Sequence, residues 1–390
     1  MSEARPPVRA AIFYHRPIDD PYHGGSRHCQ GFAKGLAPYF AIEFVGPRLP
    51  RGWAAGQRDR GGVRLAVVGY LLRAFAAAAR FVLADGSRGS ADRARLVIAF
   101  DVYLGGIAAV WSRIRRVEMV YYPQDSPHRV AQGWTASGVR GAWLFRAFRA
   151  LPERWSVRAA SVVLVPSPSV GRDYAELGID PRRIRLCPMN REAPTYRPAA
   201  VEEWRRRLDL QGRTAAIFVG SFQYPPNVRA FEYLRDSLAP RLQERAPSVE
   251  ILVAGLDSEA FASGLPRNVR VLGTVDDLDS LLFACSIGLA PMDVPGGTSG
   301  KVIDFLLHGL PTVATPQAAN GVAPSPLLRV VPLASFPDAV TEADGATAAT
   351  GASPAPRSPD PEYLRLYAGE QELRSIAADL ATRAAPPSAT

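Results

Sequence analysis

Pro295-Gly296-Gly297-Thr298-Ser299-Gly300-Lys301-Val302-Ile303-Asp304 opens the stretch that orders the rest of the chain. It runs on through Phe305, Leu306, Leu307, His308, Gly309, Leu310 and Pro311 to Thr312, Val313, Ala314 and Thr315. The spacing predicts a glycine-rich turn, a helix headed by Lys301 and stopped at Gly309, and a short apolar strand over 313–315. Backbone N–H groups at such a helix start can hold a phosphate, because no side chain blocks the approach and the helix dipole favours an anion. A cation in the first turn is unfavourable for the helix by itself, so Lys301 points to a bound anion. Asp304 falls three residues on, on the same face. Of 46 cationic residues only Lys34 and Lys301 are lysines. A chain that otherwise writes its cations as arginine keeps a compact ammonium here, and the two are not interchangeable at a phosphate. A solvated lysine on a plain turn is the bland alternative. The P-loop pattern Gly-x-x-x-x-Gly-Lys-Ser/Thr is not matched.

Outward from this stretch the second half alternates strands and helices. Strands are expected at 215–219, 249–254, 269–272 and 287–290, and helices at 201–208, 224–245 and 276–285. Gly220-Ser221, Gly255 and Gly273-Thr274 follow three of these strands, as a backbone approaching a nucleotide requires. The first half shows the same alternation. Strands are expected at 8–14, 42–45, 96–100, 117–122, 162–165 and 184–187. Helices are expected at 27–36 with Ser26 as N-cap, at 63–83, 103–113 and 142–159, and from Ser167. Gly24-Gly25-Ser26 follows a polar loop, 15–23, and heads a helix, a second place where amides can face a ligand. Asp125, in the polar loop after the 117–122 strand, either positions a hydroxyl or caps the next turn.

Such alternation means α/β architecture with parallel, doubly wound sheets. A length of 390 residues suggests two domains. The loop-like segment around 188–198 divides them: 1–190, a linker over 191–200, and 201–340. Residues 341–361, rich in Ala, Thr, Gly, Ser and Pro, are expected to be a flexible connector, 362–383 a helix, and the last residues frayed.

With 47% hydrophobic and 21% charged residues the chain is not a disordered one. Cys29, Cys187 and Cys285 are odd in number and far apart, which argues against a disulfide framework and for a reducing compartment. The polar N-terminal residues 1–8 do not read as a signal peptide, so a cytoplasmic location is expected. The net charge of +9 divides unevenly, +15 over residues 1–200 and −6 over 201–390. Scattered arginines without interleaved aromatics argue against a nucleic-acid partner. An anionic or membrane-associated acceptor, with the protein peripheral at the inner membrane face, is one reading of the excess; general arginine bias is the other. The longest apolar region, 63–83, carries Arg73 and Arg80 on one face. It predicts an amphipathic helix and not a membrane span.

The motifs Phe218-Val219-Gly220-Ser221, Tyr224-Pro225-Pro226-Asn227-Val228, Val271-Leu272-Gly273-Thr274-Val275-Asp276-Asp277-Leu278, Gly296-Gly297-Thr298, Lys301-Val302-Ile303-Asp304 and Gly309-Leu310-Pro311-Thr312-Val313-Ala314-Thr315 come in a specific order. In that order and spacing the chain resembles the retaining GT-B glycosyltransferases of group 1, the family 4-like enzymes that use nucleotide-sugar donors. The resemblance is sharp over 215–322 and looser in the first half, where Gly24-Gly25, Asp125-Ser126 and Glu153 carry it. Three departures stand out. The family commonly has two glutamates eight positions apart, where this chain has Gly296 and Asp304. Many members have arginine where it has Ser299. No basic residue lies in 221–226.

The resemblance implies two Rossmann-like domains facing across a cleft. It implies transfer of a sugar from a nucleotide sugar to an acceptor hydroxyl, with retention. Neither a metal nor a cofactor is implied; the donor is a co-substrate. Lys301 and the amides of Gly297 to Ser299 would stabilise the leaving diphosphate. Gly296 and Thr298 belong to the same loop. Asp304 would hold the ribose, Gly220 and Ser221 would border the donor, and Gly273 and Thr274 would face the base. Gly24, Gly25 and Ser26 would lie on the acceptor side, and Asp125 would orient the acceptor or donor sugar. Two rivals are a weakly active or inactive homologue that binds sugar nucleotides or assists a partner transferase, and a sugar-nucleotide epimerase.

Overall fold

Runs of Val, Ile, Leu and Phe long enough to be buried on both faces form the strands. The helices between them carry one apolar stripe each. The computed structural model describes residues 8–20, 24–48, 63–89, 92–138, 142–349, 357, 360–369 and 371–385. Residues 1–7, 21–23 of the expected polar loop, 350–356, 358 and 359 of the expected connector, and 386–390 lie outside the described residues. The chain divides into two units: Met1–Pro127 with Trp143–Asn190 and Gly369–Thr390, and His128–Ala142 with Arg191–Ala368.

The first unit holds β1 (Val8–Phe13), β2 (Phe40–Val45), β3 (Leu96–Ala99), β4 (Glu118–Tyr121), β5 (Val162–Val165) and β6 (Ile184–Leu186), in the order β2-β1-β3-β4-β5-β6. Every neighbouring pair is parallel. Alternate residues of β1 point to opposite faces, so Ala10 and Ile12 join one core layer and Ala11 and Phe13 the other. Helices Val63–Ser87, Gly105–Arg115 and Ala142–Ala159 contribute Ala74, Ala78, Phe81, Ala108, Trp111 and Val157 to the second layer. The first layer is closed by Gly24–Leu36 and by Gln371–Ala384, which brings Leu373, Ile376 and Leu380.

The second unit holds β7 (Thr214–Val219), β8 (Val249–Ala254), β9 (Val269–Gly273), β10 (Ile287–Ala290), β11 (Thr312–Ala314) and β12 (Leu328–Val330), in the order β12-β11-β10-β7-β8-β9, again all parallel. Ala216 and Phe218 face one layer, Ala215 and Ile217 the other. Both sheets are therefore doubly wound, as expected. The winding reverses beside β1 in one and beside β7 in the other.

Several elements differ from expectation. Residues 341–349 of the expected connector continue the helix Phe336–Ala349, because its alanines favour helix more than Gly345 opposes it. The single helix expected over 362–383 is two, Pro361–Tyr367 and Gln371–Ala384. The 224–245 helix contains a π-turn at Leu234–Leu238. Pro240, two residues beyond it, has no N–H to give the preceding turn, so the wider turn absorbs the missing bond. Strand β12 was not expected. It is short, largely exposed and flanked by prolines, and so carries almost no periodic signal. The Pro127–Ala136 helix was not expected either.

Candidate functional site

In a doubly wound sheet, ligands sit beyond the carboxyl ends of the strands where the winding reverses. In the second unit that place lies between β7 and β10. Two loops converge there: residues 220–224 after β7, leading into Pro225–Tyr233, and residues 291–299 after β10, leading into Gly300–Leu307. Lys301 Nζ donates to Asn227 Oδ1 at 2.7 Å and stands 4.1 Å from the centre of the Phe218 ring. Met292 Sδ is 3.6 Å away. No carboxylate lies within ion-pair distance of Lys301 among the described residues. Burial without a counter-ion pushes its pKa down to about 7. The ammonium is held in place by a neutral amide and an aromatic face, a setting that an arriving polyanion would relieve.

Three glycines let the backbones crowd at this end of the sheet. A Cβ at Gly220 would meet Asn227 Nδ2 at 2.7 Å, so the Asn227 amide lies directly over it. Gly255 has a φ of +141°, and a Cβ there would meet the Gly220 carbonyl oxygen at 2.0 Å. Asn227 Nδ2 also donates to the Ser221 carbonyl at 2.8 Å, which fixes the amide with its oxygen toward Lys301. At the next strand end Gly273 has a φ of +76°. Its carbonyl accepts from Gly255 N at 2.8 Å, and Thr274 N donates to Glu259 Oε1 at 2.9 Å. The Gly273 carbonyl and the Thr274 N–H are thus engaged within the protein, and the Glu259 carboxylate stands at this corner.

The 295–304 stretch is a loop into a helix, as read. Ser299 is the extended N-cap of Gly300–Leu307, and its side chain makes no capping bond. Gly296 and Gly297 are half-buried and Thr298 is buried. A Cβ at Gly296 would meet only the Tyr224 hydroxyl, at 3.6 Å. Asp304 Oδ1 is 3.1 Å from Arg191 Nε, whose side chain is 4% exposed. A Cβ at Gly300 would stand 2.1 Å from an Arg191 terminal nitrogen, so a side chain there would displace that guanidinium. His308 Nδ1 contacts the Asp304 carbonyl at 2.6 Å, and its Nε2 contacts Asp279 Oδ1 at 3.2 Å.

The first unit has its own polar group at its reversal point. His15 follows β1 and Asp101 follows β3. His15 Nδ1 lies 2.6 Å from Asp101 Oδ2, and the backbone N–H groups of His15, Tyr103 and Leu104 donate to the same carboxylate. Burial opposes ionisation of Asp101, but the His15 ring and these N–H donors outweigh it and hold its pKa below the ordinary value. The Tyr103 ring lies tilted against His15, centroids 4.3 Å apart, and the Arg149 guanidinium lies over the Tyr103 ring at 5.5 Å from its centroid. Asp125, half-buried after β4, has its pKa raised by burial, with Arg149 opposing the shift. Glu153 accepts from Tyr121 at 2.8 Å and from Tyr174.

Gly24 and Gly25 lie in the first turn of Gly24–Leu36, with open space where a Gly24 side chain would begin. Ser26 corrects the expectation that it caps this helix. It lies inside the helix, fully buried, with its hydroxyl on the Pro17 carbonyl at 2.8 Å. The reading of the residues also passed over Asn227, Phe218, Arg191, His15 and Asp101 as members of a site. Asn227 and Phe218 had a signal, since both stand in motifs that carry the resemblance, Tyr224–Val228 and Phe218–Ser221.

Residues 213–341 match the family model described as glycosyl transferases group 1, and residues 23–190 match the glycosyl transferase 4-like domain. No curated protein sequence matches the chain. Among solved structures, the Anabaena protein Alr3699/HepE in complex with UDP and glucose superposes with a TM-score of 0.67 at 12% identity. The match covers 96% of this chain and 100% of that one. WaaG, a glycosyltransferase involved in lipopolysaccharide biosynthesis, gives 0.58 at 16% identity over 96% and 97%. Sucrose-phosphate synthase from Thermosynechococcus elongatus gives 0.60 at 15% over 97% of each. At such identities the likeness speaks to the fold, which is GT-B. With its first unit matching the 4-like domain and its second the group 1 model, the chain belongs to the group 1 glycosyltransferases.

Proposed function

We propose that the protein transfers a sugar from a nucleoside-diphosphate donor to an acceptor hydroxyl, with retention at the anomeric carbon and without a metal ion. The observation that carries this reading is Lys301. It stands at a helix start among glycines, oriented by Asn227, with no carboxylate beside it among the described residues. The leaving group of such a transfer is a nucleoside diphosphate whose charge grows as the glycosidic bond breaks. Lys301 and the amides that open Gly300–Leu307 meet that charge, and Asp304 accepts from the ribose. Solved relatives were crystallised with UDP and with UDP-glucose, which supports a uridine donor.

The test is calorimetric titration with nucleoside diphosphates, followed by product analysis with candidate nucleotide sugars. Binding of UDP, lost in Lys301→Ala, is expected. The product's anomeric proton should show the donor's configuration, at a rate unchanged by EDTA. Inversion, or a rate abolished by EDTA and restored by a divalent ion, overturns the corresponding part.

Gly296, where relatives of this kind commonly carry an acid, favours one alternative: a homologue that binds the donor and turns it over weakly. Tight binding with neither transfer nor hydrolysis would establish it.

A further inference from the structure

We infer that the first unit docks on an anionic membrane surface through the outer faces of three helices, Val63–Ser87, Gly105–Arg115 and Ala142–Ala159. Together these helices carry nine arginines and two acids, Asp85 and Glu153. Both acids are buried and used inside the unit. Asp85 accepts from Ala94 N at 3.1 Å, and Glu153 accepts from Tyr121 and Tyr174. Among the described residues, the exposed charges on these three helices are therefore of one sign: Arg73, Arg80, Arg113, Arg154 and Arg158. Ordinary solvent-facing helices mix both signs.

Large apolar side chains stand among these arginines. Leu83 is 75% exposed, Ile114 68%, Leu72 65% and Trp155 44%. A groove of about 360 Å³ runs beneath them, lined by Phe75, Val82, Val110, Ile114, Leu151 and Trp155. A second groove lies along the other side of Val63–Ser87, with Arg48, Arg73 and Arg80 on its walls and one acid, Glu43, which is engaged by Arg9 and Arg88. The Pro168–Glu176 helix, with Asp173 and Glu176, and Glu43, paired with Arg9 and Arg88, bound the face.

Apolar residues interspersed with arginine alone suit the headgroup–acyl boundary. Leucine, isoleucine and tryptophan enter it, and arginine stems lie along it with their guanidinium groups at the phosphates. No described helix is long and apolar enough to cross a membrane, so these lie along it. Two other occupants fit less well. A second copy of the chain related by a two-fold axis would set arginines against arginines. A nucleic acid would leave Leu72, Leu83 and Ile114 against a charged backbone.

This inference does not depend on the donor reading, and its test uses no nucleotide. The full chain is floated with vesicles of phosphatidylcholine alone or with about one-third phosphatidylglycerol, at low and high salt. Binding is expected only to the anionic vesicles, falling as salt rises. Changing Arg73, Arg80, Arg113 and Arg154 to Gln should weaken it at least about tenfold. The same number of substitutions at Arg206, Arg207, Arg241 and Arg267, exposed in the second unit, should not. Acyl-chain bromination should quench tryptophan fluorescence in the bound protein, and less so in Trp155→Phe. Circular dichroism melting of each variant separates lost binding from lost folding. Equal binding to neutral vesicles, equal loss in both arginine sets, or a dimer in sedimentation that Ile114→Glu and Leu151→Glu abolish would overturn the proposal.

Discussion

Arg191 Nε lies 3.1 Å from Asp304 Oδ1, so the segment that enters the second unit is tied to the helix that follows its glycine loop. Arg191 also donates its backbone N–H to the Tyr367 carbonyl at 2.6 Å. Removing the guanidinium takes this ion pair from a largely buried carboxylate. Arg191→Ala is expected to lower unfolding stability by roughly 3 kcal/mol, more than Asp304→Asn, which keeps an acceptor for Nε. Urea melts of the two variants measure this, and an Asp304→Asn loss equal to that of Arg191→Ala would contradict it.

Lys301 gives a pH signature. Its pKa is about 7 in the folded chain against 10.5 as the ordinary value, so between those pH values the unfolded chain holds the extra proton. This group's contribution to stability therefore rises with pH through that window and is least below pH 7. A bound diphosphate restores the proton. Titration of UDP at pH 8 in buffers of different ionisation enthalpy should show proton uptake approaching one, absent in Lys301→Met. Lys301→Ala should weaken diphosphate binding by about 1.5–3 kcal/mol.

Gly296 offers a gain-of-function test. A Cβ there would meet only the Tyr224 hydroxyl, at ordinary contact distance. Gly296→Glu should fold with a melting temperature close to that of the parent. On the transferase reading it should raise the turnover of a bound donor, read as kcat. A variant that folds and binds UDP but leaves kcat unchanged would remove the missing acid as the limit on catalysis.

Two glycines should separate stability from binding. Gly255→Ala drives a Cβ into the Gly220 carbonyl and should destabilise by more than about 2 kcal/mol. Gly133, in Pro127–Ala136, would place a Cβ 2.2 Å from the Pro295 carbonyl. Gly133→Ala should move the 295–299 loop and weaken nucleotide affinity more than it lowers the melting temperature. Calorimetry and thermal melts on both variants decide the order.

The sheets were legible because burial on both faces leaves continuous apolar runs, and β5, β8 and β10 fall where those runs begin and end. The glycine loop and Lys301 were legible because their chemistry is local in sequence. Arg191 was not, since its value lies in a partner brought near only by tertiary structure. His15 and Asp101 meet for the same reason, across β1 and β3. Ser26 misled because a buried carbonyl, Pro17, competes for its hydroxyl better than the helix end does.

Leu373 fills the space beside Gly35, where a Cβ would come within 2.2 Å of its side chain, and Ile376 and Leu380 lie in the same core as Phe32 and Phe40. Those sealing residues are translated after all of 191–368. The unit that emerges first from the ribosome is thus the one completed last. While the second unit is being made, the Gly24–Leu36 helix keeps an uncovered apolar side, and a nascent chain stopped before Gln371 is a natural client for a chaperone.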